Sequence, residues 1–467
     1  MLPSASCRPG RAGIVLAIIM TSYLMIVVDI SIVLTGLPRI RDALGFSAAG
    51  LSWVQNAYTL SFGGFLLLGA RAGDLLGRRR MFVSGLAIFT LTSLAIGLAP
   101  SATALLAARA VQGFGAAILA PATLALLATH FPEEPQRTRA LAWYAAAAGV
   151  GATLGLVLGG LLTDLVSWRA GFFLNLPVGL LLIAGARRYL DETPRLAGRF
   201  DLAGAICATL GMSACVFGIV EAAQRGWGAP LTLASLATGL ALLGIFLVVQ
   251  TRVAHPVLPL RLFRDAARNG AYAARLLFLA GMVGFWFFTA QYLQGVLGFS
   301  PLLAGLAFVP VTLPNFASAM AVPRLARRFG MRRLLLGGLA LSVLGLGWQG
   351  AAAAQASYVV GVAIPMLLTG LAQGCVLAPL TLAGVAGVPA HDAGAASGVV
   401  NVAHQLGASL GLAVLVVVFA QAEAPHAQGT AALAVRTGVA LQASALLVLL
   451  ALLVSANYIG RPARDAD

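Results

Sequence analysis

Apolar runs of about twenty residues recur along the whole chain and are separated by short polar gaps. A helix of about twenty residues crosses the ~30 Å hydrocarbon core of a bilayer, whereas a transmembrane barrel shows shorter segments of alternating polarity. The pattern therefore predicts an all-α polytopic membrane protein with fourteen spans. The predicted spans cover residues 14–36, 50–70, 81–99, 102–128, 138–163, 170–189, 203–221, 231–250, 272–293, 302–322, 334–353, 357–381, 395–420 and 437–459.

The composition agrees with this prediction and excludes other classes of protein. Hydrophobic residues make up 60% of the 467 residues and charged residues only 10%, against roughly 25% charged residues in soluble proteins. All 30 basic residues are arginines, and they lie mostly in short gaps between apolar runs. Because no basic tail or soluble domain is visible, we expect no nucleic-acid partner. The sequence has no C-x-x-C pair, metal cluster, nucleophile triad or phosphate loop, so we expect no cofactor, no metal and no enzyme activity.

The arginine distribution predicts the orientation in the membrane, because cytoplasmic loops carry an excess of basic residues. With a cytoplasmic N-terminus, 23 arginines fall in inner gaps, tails and the adjoining ends of spans, and 5 fall in outer gaps. We therefore expect both termini in the cytoplasm. Frequent alanine and arginine without lysine suggest a bacterial source, and hence the inner membrane.

Two basic clusters form an internal repeat. "RAGDLLGRRRMF" (71–82) aligns with "RLARRFGMRRLL" (324–335) at an offset of 253 residues. Such repeats indicate a transporter built from two similar halves, with its site between them near the middle of the membrane. Eight spans lie between the clusters, two more than a six-span repeat needs. We therefore predict an N-terminal six-helix bundle (1–190), a two-helix insertion (191–268) and a C-terminal six-helix bundle (269–467).

Several motifs resemble those of one transporter family. "GARAGDLLGRRR" resembles the cytoplasmic signature of the major facilitator superfamily, and the other motifs resemble its fourteen-span drug:proton antiporter branch. These are "AARAVQGFGAAILAP" (107–121), "GATLGLVLGG" (151–160), "SWRAGFFLNLPVG" (167–179), "RFDLAG" (199–204), "QYLQGVLGFSPLLAGL" (291–306) and "AGAASGVVNVAHQLG" (393–407). Three positions differ from the family pattern, with Leu34, Leu156 and His404 in place of the usual Asn, Pro and Arg.

The resemblance implies a major facilitator fold and a function. We expect a proton-coupled transporter that exports small, partly hydrophobic compounds by alternating access and works as a monomer in the lipid bilayer. An uptake or metabolite carrier on the same fold is the alternative, since the motif that distinguishes antiporters is altered at Leu156. An integral-membrane enzyme or receptor has no support in the sequence.

Ionisable residues within spans are candidates for proton coupling, because a charge at the bilayer centre costs roughly 2.5–3.5 kcal/mol or more. Asp29 and Arg109 lie in antiparallel spans at a similar predicted depth, so they can form a pair. A nearby arginine favours the charged carboxylate and drier surroundings favour the protonated form. His404 is the second candidate, because an unperturbed imidazole titrates near pH 6.5.

The basic cluster after span 2 predicts a cytoplasmic gate at Asp74, Gly77 and Arg78, a role that the resemblance implies. We expect Asp74 to dock on the N-terminus of span 13 near residue 394, where the helix dipole favours an acid.

Glycines in span 5 predict a close helix contact, since small residues let helix backbones approach. Gly151, Gly155 and Gly159 recur every four residues on one face. We expect this face to form a tight rocking contact between the two halves.

A substrate cavity for partly hydrophobic molecules needs aromatic walls with a few polar groups. The candidates for this lining are Tyr58, Gln112, Tyr144, Phe288, Gln291, Tyr292, Gln294 and Asn401.

Overall fold

The fold is described from a computed structural model. The described residues are 9–47, 49–131, 133–193, 195, 201–253, 256, 258–389, 393–424 and 428–459. They form sixteen α-helices and contain no β-strand. The helices are α1 (Pro9–Leu44), α2 (Trp53–Leu76), α3 (Arg78–Gly97), α4 (Ala102–His130), α5 (Glu134–Leu165), α6 (Trp168–Phe173), α7 (Asn175–Tyr189), α8 (Leu202–Arg225), α9 (Pro230–Arg252), α10 (Ala266–Gly295), α11 (Pro301–Leu306), α12 (Val309–Phe329), α13 (Met331–Ala352), α14 (Ile364–Val385), α15 (Ala393–Gln421) and α16 (Gly429–Tyr458).

Each of the fourteen predicted spans corresponds to one helix or to a broken pair of helices. The sixth span is divided into α6 and α7, and the tenth into α11 and α12. Pro177 and Pro310 lie in the first turn of the second helix of each pair. Because proline has no backbone N–H to donate to the preceding turn, the helix is interrupted at both places.

Twelve helices within the described residues are long and apolar enough to cross a membrane. Of the two remaining predicted spans, α2 contains the polar residues Gln55 and Asn56 in its first turn. In α5 the described apolar stretch that remains is Gly151–Leu165. The chain is therefore a multi-pass membrane protein, and the count of fourteen spans is compatible with the structure.

The helices pack in two groups. In the first, α1 packs on α5, and α4 packs on α2 and α3; in the second, α10 packs on α15 and α16, and α14 packs on α12 and α13. Helix α8 packs against both α2 and α15, and α9 packs on α8. The predicted division at residues 190/191 and 268/269 is compatible with these contacts and stays a prediction.

The sequence repeat corresponds to a structural repeat. Gly77 and Gly330 precede α3 and α13 with φ of 105° and 82°, a backbone region that favours glycine. Arg79 donates a hydrogen bond to the carbonyl of Leu190 at the end of α7. Arg332 in the second copy donates to the carbonyl of Ile459 at the end of α16. In each copy an arginine therefore binds the C-terminal end of the sixth span of its unit.

Candidate functional site

Asp29 of α1 and Arg109 of α4 form a buried ion pair. The guanidinium Nη1 lies 2.7 Å from Asp29 Oδ2, and each side chain is only 1% exposed. The contact predicted from the depth of the two residues is thus present. Since an unpaired charge in this setting is costly, each residue neutralises the other within the helix bundle.

Two amides and a hydroxyl complete the surroundings of the carboxylate. Asp29 Oδ1 accepts hydrogen bonds from Gln112 Nε2 (3.0 Å) and Asn175 Nδ2 (2.9 Å). Both amides also donate to Ser93 Oγ, at 2.9 and 3.1 Å. Both carboxylate oxygens are therefore occupied by donors. Gln112 was expected in the substrate cavity and lies in this network instead of an open space, being fully buried.

Helix α2 holds the other side of Arg109. The guanidinium Nε donates to the carbonyl of Val54 (3.1 Å), and Nη1 donates to Gln112 Oε1 (2.6 Å). The ring of Tyr58, a predicted cavity residue, lies 4.5 Å from the guanidinium carbon and is 1% exposed. Such a cation–π contact adds to the attraction. Arg109 therefore contacts both Asp29 and α2.

Two members of this network, Ser93 and Asn175, were not predicted from the sequence. Ser93 and Asn175 are neutral, and neutral polar residues within apolar runs do not stand out as charges do. A signal was nevertheless available for Asn175, since it lies in the motif "SWRAGFFLNLPVG".

His404 of α15 contacts a second arginine within the spans. Its Nδ1 lies 3.2 Å from Nη2 of Arg275 on α10. The same guanidinium donates from Nη1 to Thr381 Oγ1 (2.7 Å) and to the carbonyl of Leu377 (3.3 Å), both on α14. Arg275 is 7% exposed. Asn401, one turn before His404, is exposed, and its amide donates to the carbonyl of Ser397 in its own helix.

The predicted gate residues form a local network. Arg78 Nη2 donates to Asp74 Oδ1 (3.2 Å), and Arg78 Nη1 donates to Thr129 Oγ1 (2.9 Å). The carboxylate of Glu192 accepts from the backbone N–H groups of Arg79 and Arg80 at the start of α3.

The predicted gate also includes a contact between Asp74 and the N-terminus of α15. Residues 390–392, which precede α15, lie outside the described residues. The latch therefore stays a prediction.

The glycine face of α5 packs on α1. A Cβ added at Gly155 would lie 2.8 Å from the carbonyl oxygen of Val28, and one at Gly159 would lie 2.7 Å from Ile32 Cα. Gly151 lies equally close to side chains of α1. The close approach is present, but its partner belongs to the same group of helices. The predicted contact between halves at these glycines is therefore corrected.

The neighbouring face of α5 makes the contact with the second group. A Cβ at Gly160 would meet the backbone of Pro301, and one at Gly305 would meet the carbonyl of Leu156. The contact therefore involves Leu156, the position at which the family motif usually has proline.

The remaining predicted cavity residues lie in different surroundings. Tyr144 stacks on Tyr23 with ring centroids 3.9 Å apart. Phe288 is buried and stacks on Phe419. Tyr292 is buried, and its hydroxyl donates to the carbonyl of Ala353.

Gln291 and Gln294 line a cavity of about 570 Å³ at one end of the bundle, between α1, α10, α11 and α16. Gln294 Nε2 also donates to the carbonyl of Thr35 on α1 (3.1 Å) and so links the two groups of helices. The same cavity is lined by Arg39, Arg41 and Asp42.

Comparison with known proteins identifies several similar chains. The sequence profile described as Major Facilitator Superfamily matches residues 19–412. The cephamycin export protein of Amycolatopsis lactamdurans is 41% identical over 88% of this chain and 86% of its own length. The puromycin resistance protein of Streptomyces alboniger is 39% identical over 88% of this chain and 83% of its own.

Among solved structures, the POT family transporter PepTSo aligns with a TM-score of 0.68 at 14% identity, covering 96% of this chain and 99% of that one. The human organic anion transporter MFSD10 aligns with a TM-score of 0.64 at 16% identity, covering 96% and 100%. These two likenesses concern the fold alone.

Proposed function

Because the chain belongs to the major facilitator superfamily of membrane transporters, we propose that it exports small, partly hydrophobic compounds from the cytoplasm in exchange for protons. The curated relatives are named for the export of, or resistance to, cephamycin and puromycin, which supports export over the alternative of uptake. We also propose that the protein is a monomer of the bacterial inner membrane with both termini in the cytoplasm.

The observation that carries proton coupling is the buried Asp29–Arg109 pair. A carboxylate that is 1% exposed and paired with a permanent cation is stable in its charged form. If the pair opens, the carboxylate loses its compensating charge and takes up a proton. Proton binding and release at Asp29 therefore follow the making and breaking of one contact.

Helix α2 connects this contact to the other half of the molecule. The carbonyl of Val54 and the ring of Tyr58 hold Arg109. One residue further on, Thr59 Oγ1 lies 2.7 Å from Ser409 Oγ of α15. When Arg109 is released, α2 loses a partner in its own half while it remains in contact with α15. We propose that this step links protonation to the movement of one half against the other.

The experiment that tests the function uses bacteria that lack their own efflux pumps. Cells that express the chain are compared with vector-only cells for sensitivity to a panel of antibiotics that includes puromycin, with and without a protonophore. We expect raised resistance and lower intracellular drug, both abolished by the protonophore. Higher intracellular drug in the expressing cells would establish uptake instead, and resistance that survives the protonophore would exclude proton coupling.

A further inference from the structure

Arg275 is a buried cation with neutral partners. Among the residues that the structure describes, its hydrogen-bond acceptors are the carbonyl of Leu377, the hydroxyl of Thr381 and the imidazole of His404. No described residue forms an ion pair with it, and its Nε is buried without a hydrogen-bond partner. Arg109, the arginine in the first group of helices, differs because it has Asp29.

Arginine stays protonated in proteins, so Arg275 keeps its positive charge although it is buried. Removing a charge from water without a counter-charge costs several kcal/mol. Neutral acceptors recover part of this cost, and the unpartnered Nε shows that hydrogen bonding at the guanidinium is incomplete. An anion that arrives at this place gains both a charge partner and a free donor.

His404 occupies Nη2 of the same guanidinium and carries a donor on the far side of its ring. Because a guanidinium has no acceptor, the Nδ1 of His404 must accept the hydrogen bond from Arg275. The imidazole is then neutral with its proton on Nε2, which is a donor. His404 is half-buried and Asn401, one turn away on α15, is exposed. The buried cation therefore lies close to an exposed position on α15.

We propose that Arg275 binds the anionic group of the transported compound, so that the substrates of this transporter include amphiphilic carboxylic acids. This inference rests on the proposed function and specifies its substrate class. The carboxylate takes a hydrogen bond from Nε of Arg275, whose Nη1 and Nη2 stay on Thr381 and His404, while the hydrophobic body of the compound packs against apolar side chains of the bundle.

Binding to the purified full chain in detergent tests the site without any gradient. The probes are naphthalene-1-acetate and biphenyl-4-acetate, each compared with its neutral amide by ligand-dependent thermal stabilisation. We expect the wild type to bind both acids more tightly than their amides. In Arg275→Gln the acids should bind roughly tenfold or more weakly, since hydrogen bonds to charged groups contribute about 1.5–3 kcal/mol, and the amides should bind as before.

Two variants separate binding from stability. Arg275→Lys keeps the charge and should keep part of the preference for acids. Arg332→Gln removes an arginine that binds the end of α16 and should leave the preference unchanged. If Arg275 only cross-links helices, Arg275→Gln lowers the stability of the ligand-free protein while the ratio of acid to amide affinity stays at the wild-type value, which overturns the proposal.

Other outcomes also contradict the site. Equal binding of acid and amide to the wild type, or no binding of either acid, overturns it. Competition by sodium chloride at the same strength as by the acids would assign the site to small inorganic anions. The proposed function can fail independently of this site. A protein that binds acids in preference to amides but exports nothing would support the site and contradict only the proposed transport.

Discussion

At the scale of single residues, Arg109 and Arg275, the two arginines deep within predicted spans, have different partners. Arg109 is neutralised by Asp29 and held by Gln112 and by the carbonyl of Val54. Within the described part of the chain Arg275 has only neutral partners, among them His404. We therefore assign the proton to Asp29, because protonation of His404 at Nδ1 would break its hydrogen bond and place a second cation beside Arg275.

His404→Gln tests this assignment. The glutamine Oε1 can still accept from Arg275 but does not titrate. We expect the pH dependence of transport between about pH 5.5 and 7.5, the range around an unperturbed imidazole, to stay as in the wild type. The measurement is initial transport rate against pH in membrane vesicles. A flattened profile would place His404 in the coupling pathway.

Charges at the site were easier to predict than their partners. Asp29 and Arg109 are conspicuous in apolar runs, and helical rise alone places them at one depth. Ser93 and Asn175 differ little in hydropathy from the apolar runs around them, so the sequence alone does not indicate that they belong to the site. Arg275 was visible as a charge within a span, but its contact with His404 depends on how α10, α14 and α15 pack.

At the scale of helices, α5 is held against α1 by glycine. A Cβ at Gly159 would lie 2.7 Å from Ile32 Cα, so the backbones of the two helices touch. The spacing of the glycines predicts the tight face, but not which helix it meets. The breaks before α7 and α12 lie next to Pro177 and Pro310. The two prolines alone did not predict where the helices would break.

Gly159→Ala should force α1 and α5 apart, because the obstructing atoms include backbone. We expect the free energy of unfolding to fall by about 1–3 kcal/mol, measured by denaturation with sodium dodecyl sulfate in mixed micelles. Gly244→Ala in α9 is the control, since nothing lies within 4 Å of its added Cβ; alanine there favours the helix. Equal effects of the two changes would contradict the close contact.

Asp74→Asn tests the latch at the end of α2 while keeping the size of the side chain. A contact with a helix terminus contributes ~0.3–1 kcal/mol at exposed sites and up to ~2 when partly buried. We therefore expect a shift of about two-fold to thirty-fold toward the inward-facing state. Arg80→Gln is the control, since Arg80 is 63% exposed and lies 4.0 Å from Glu192.

The measurement is the labelling rate of single cysteines on a cysteine-free background. Gln291→Cys reports the cavity between α1, α10, α11 and α16, and Ser397→Cys reports the first turns of α15. Asp74→Asn should slow the labelling of the cysteine at position 291 and speed the labelling of the cysteine at position 397. If both rates equal those of the unsubstituted background, the acid is only the local partner of Arg78.

At the scale of the whole molecule, the repeat in the sequence matches the repeat in the structure. The offset of 253 residues pairs Gly77 with Gly330 and Arg79 with Arg332, and both pairs have the same structural role. The sequence also predicts that α8 and α9 are additional to two six-span units. The position of α8 against both α2 and α15 could not be predicted, because apolar faces of similar composition do not specify their neighbours.

The central claim is that Asp29 carries the proton that drives transport. Asp29→Asn keeps hydrogen-bonding groups beside Gln112 and Asn175 but holds no charge to exchange. Asp42→Asn, an exposed acid on the same helix, is the matched control.

The decisive measurement is accumulation, in inside-out vesicles whose lumen is acidified, of the compound to which the chain confers the highest resistance, with equal amounts of folded protein in each membrane. We expect gradient-driven accumulation by the wild type and by Asp42→Asn, and none by Asp29→Asn. Wild-type accumulation by Asp29→Asn would contradict the account.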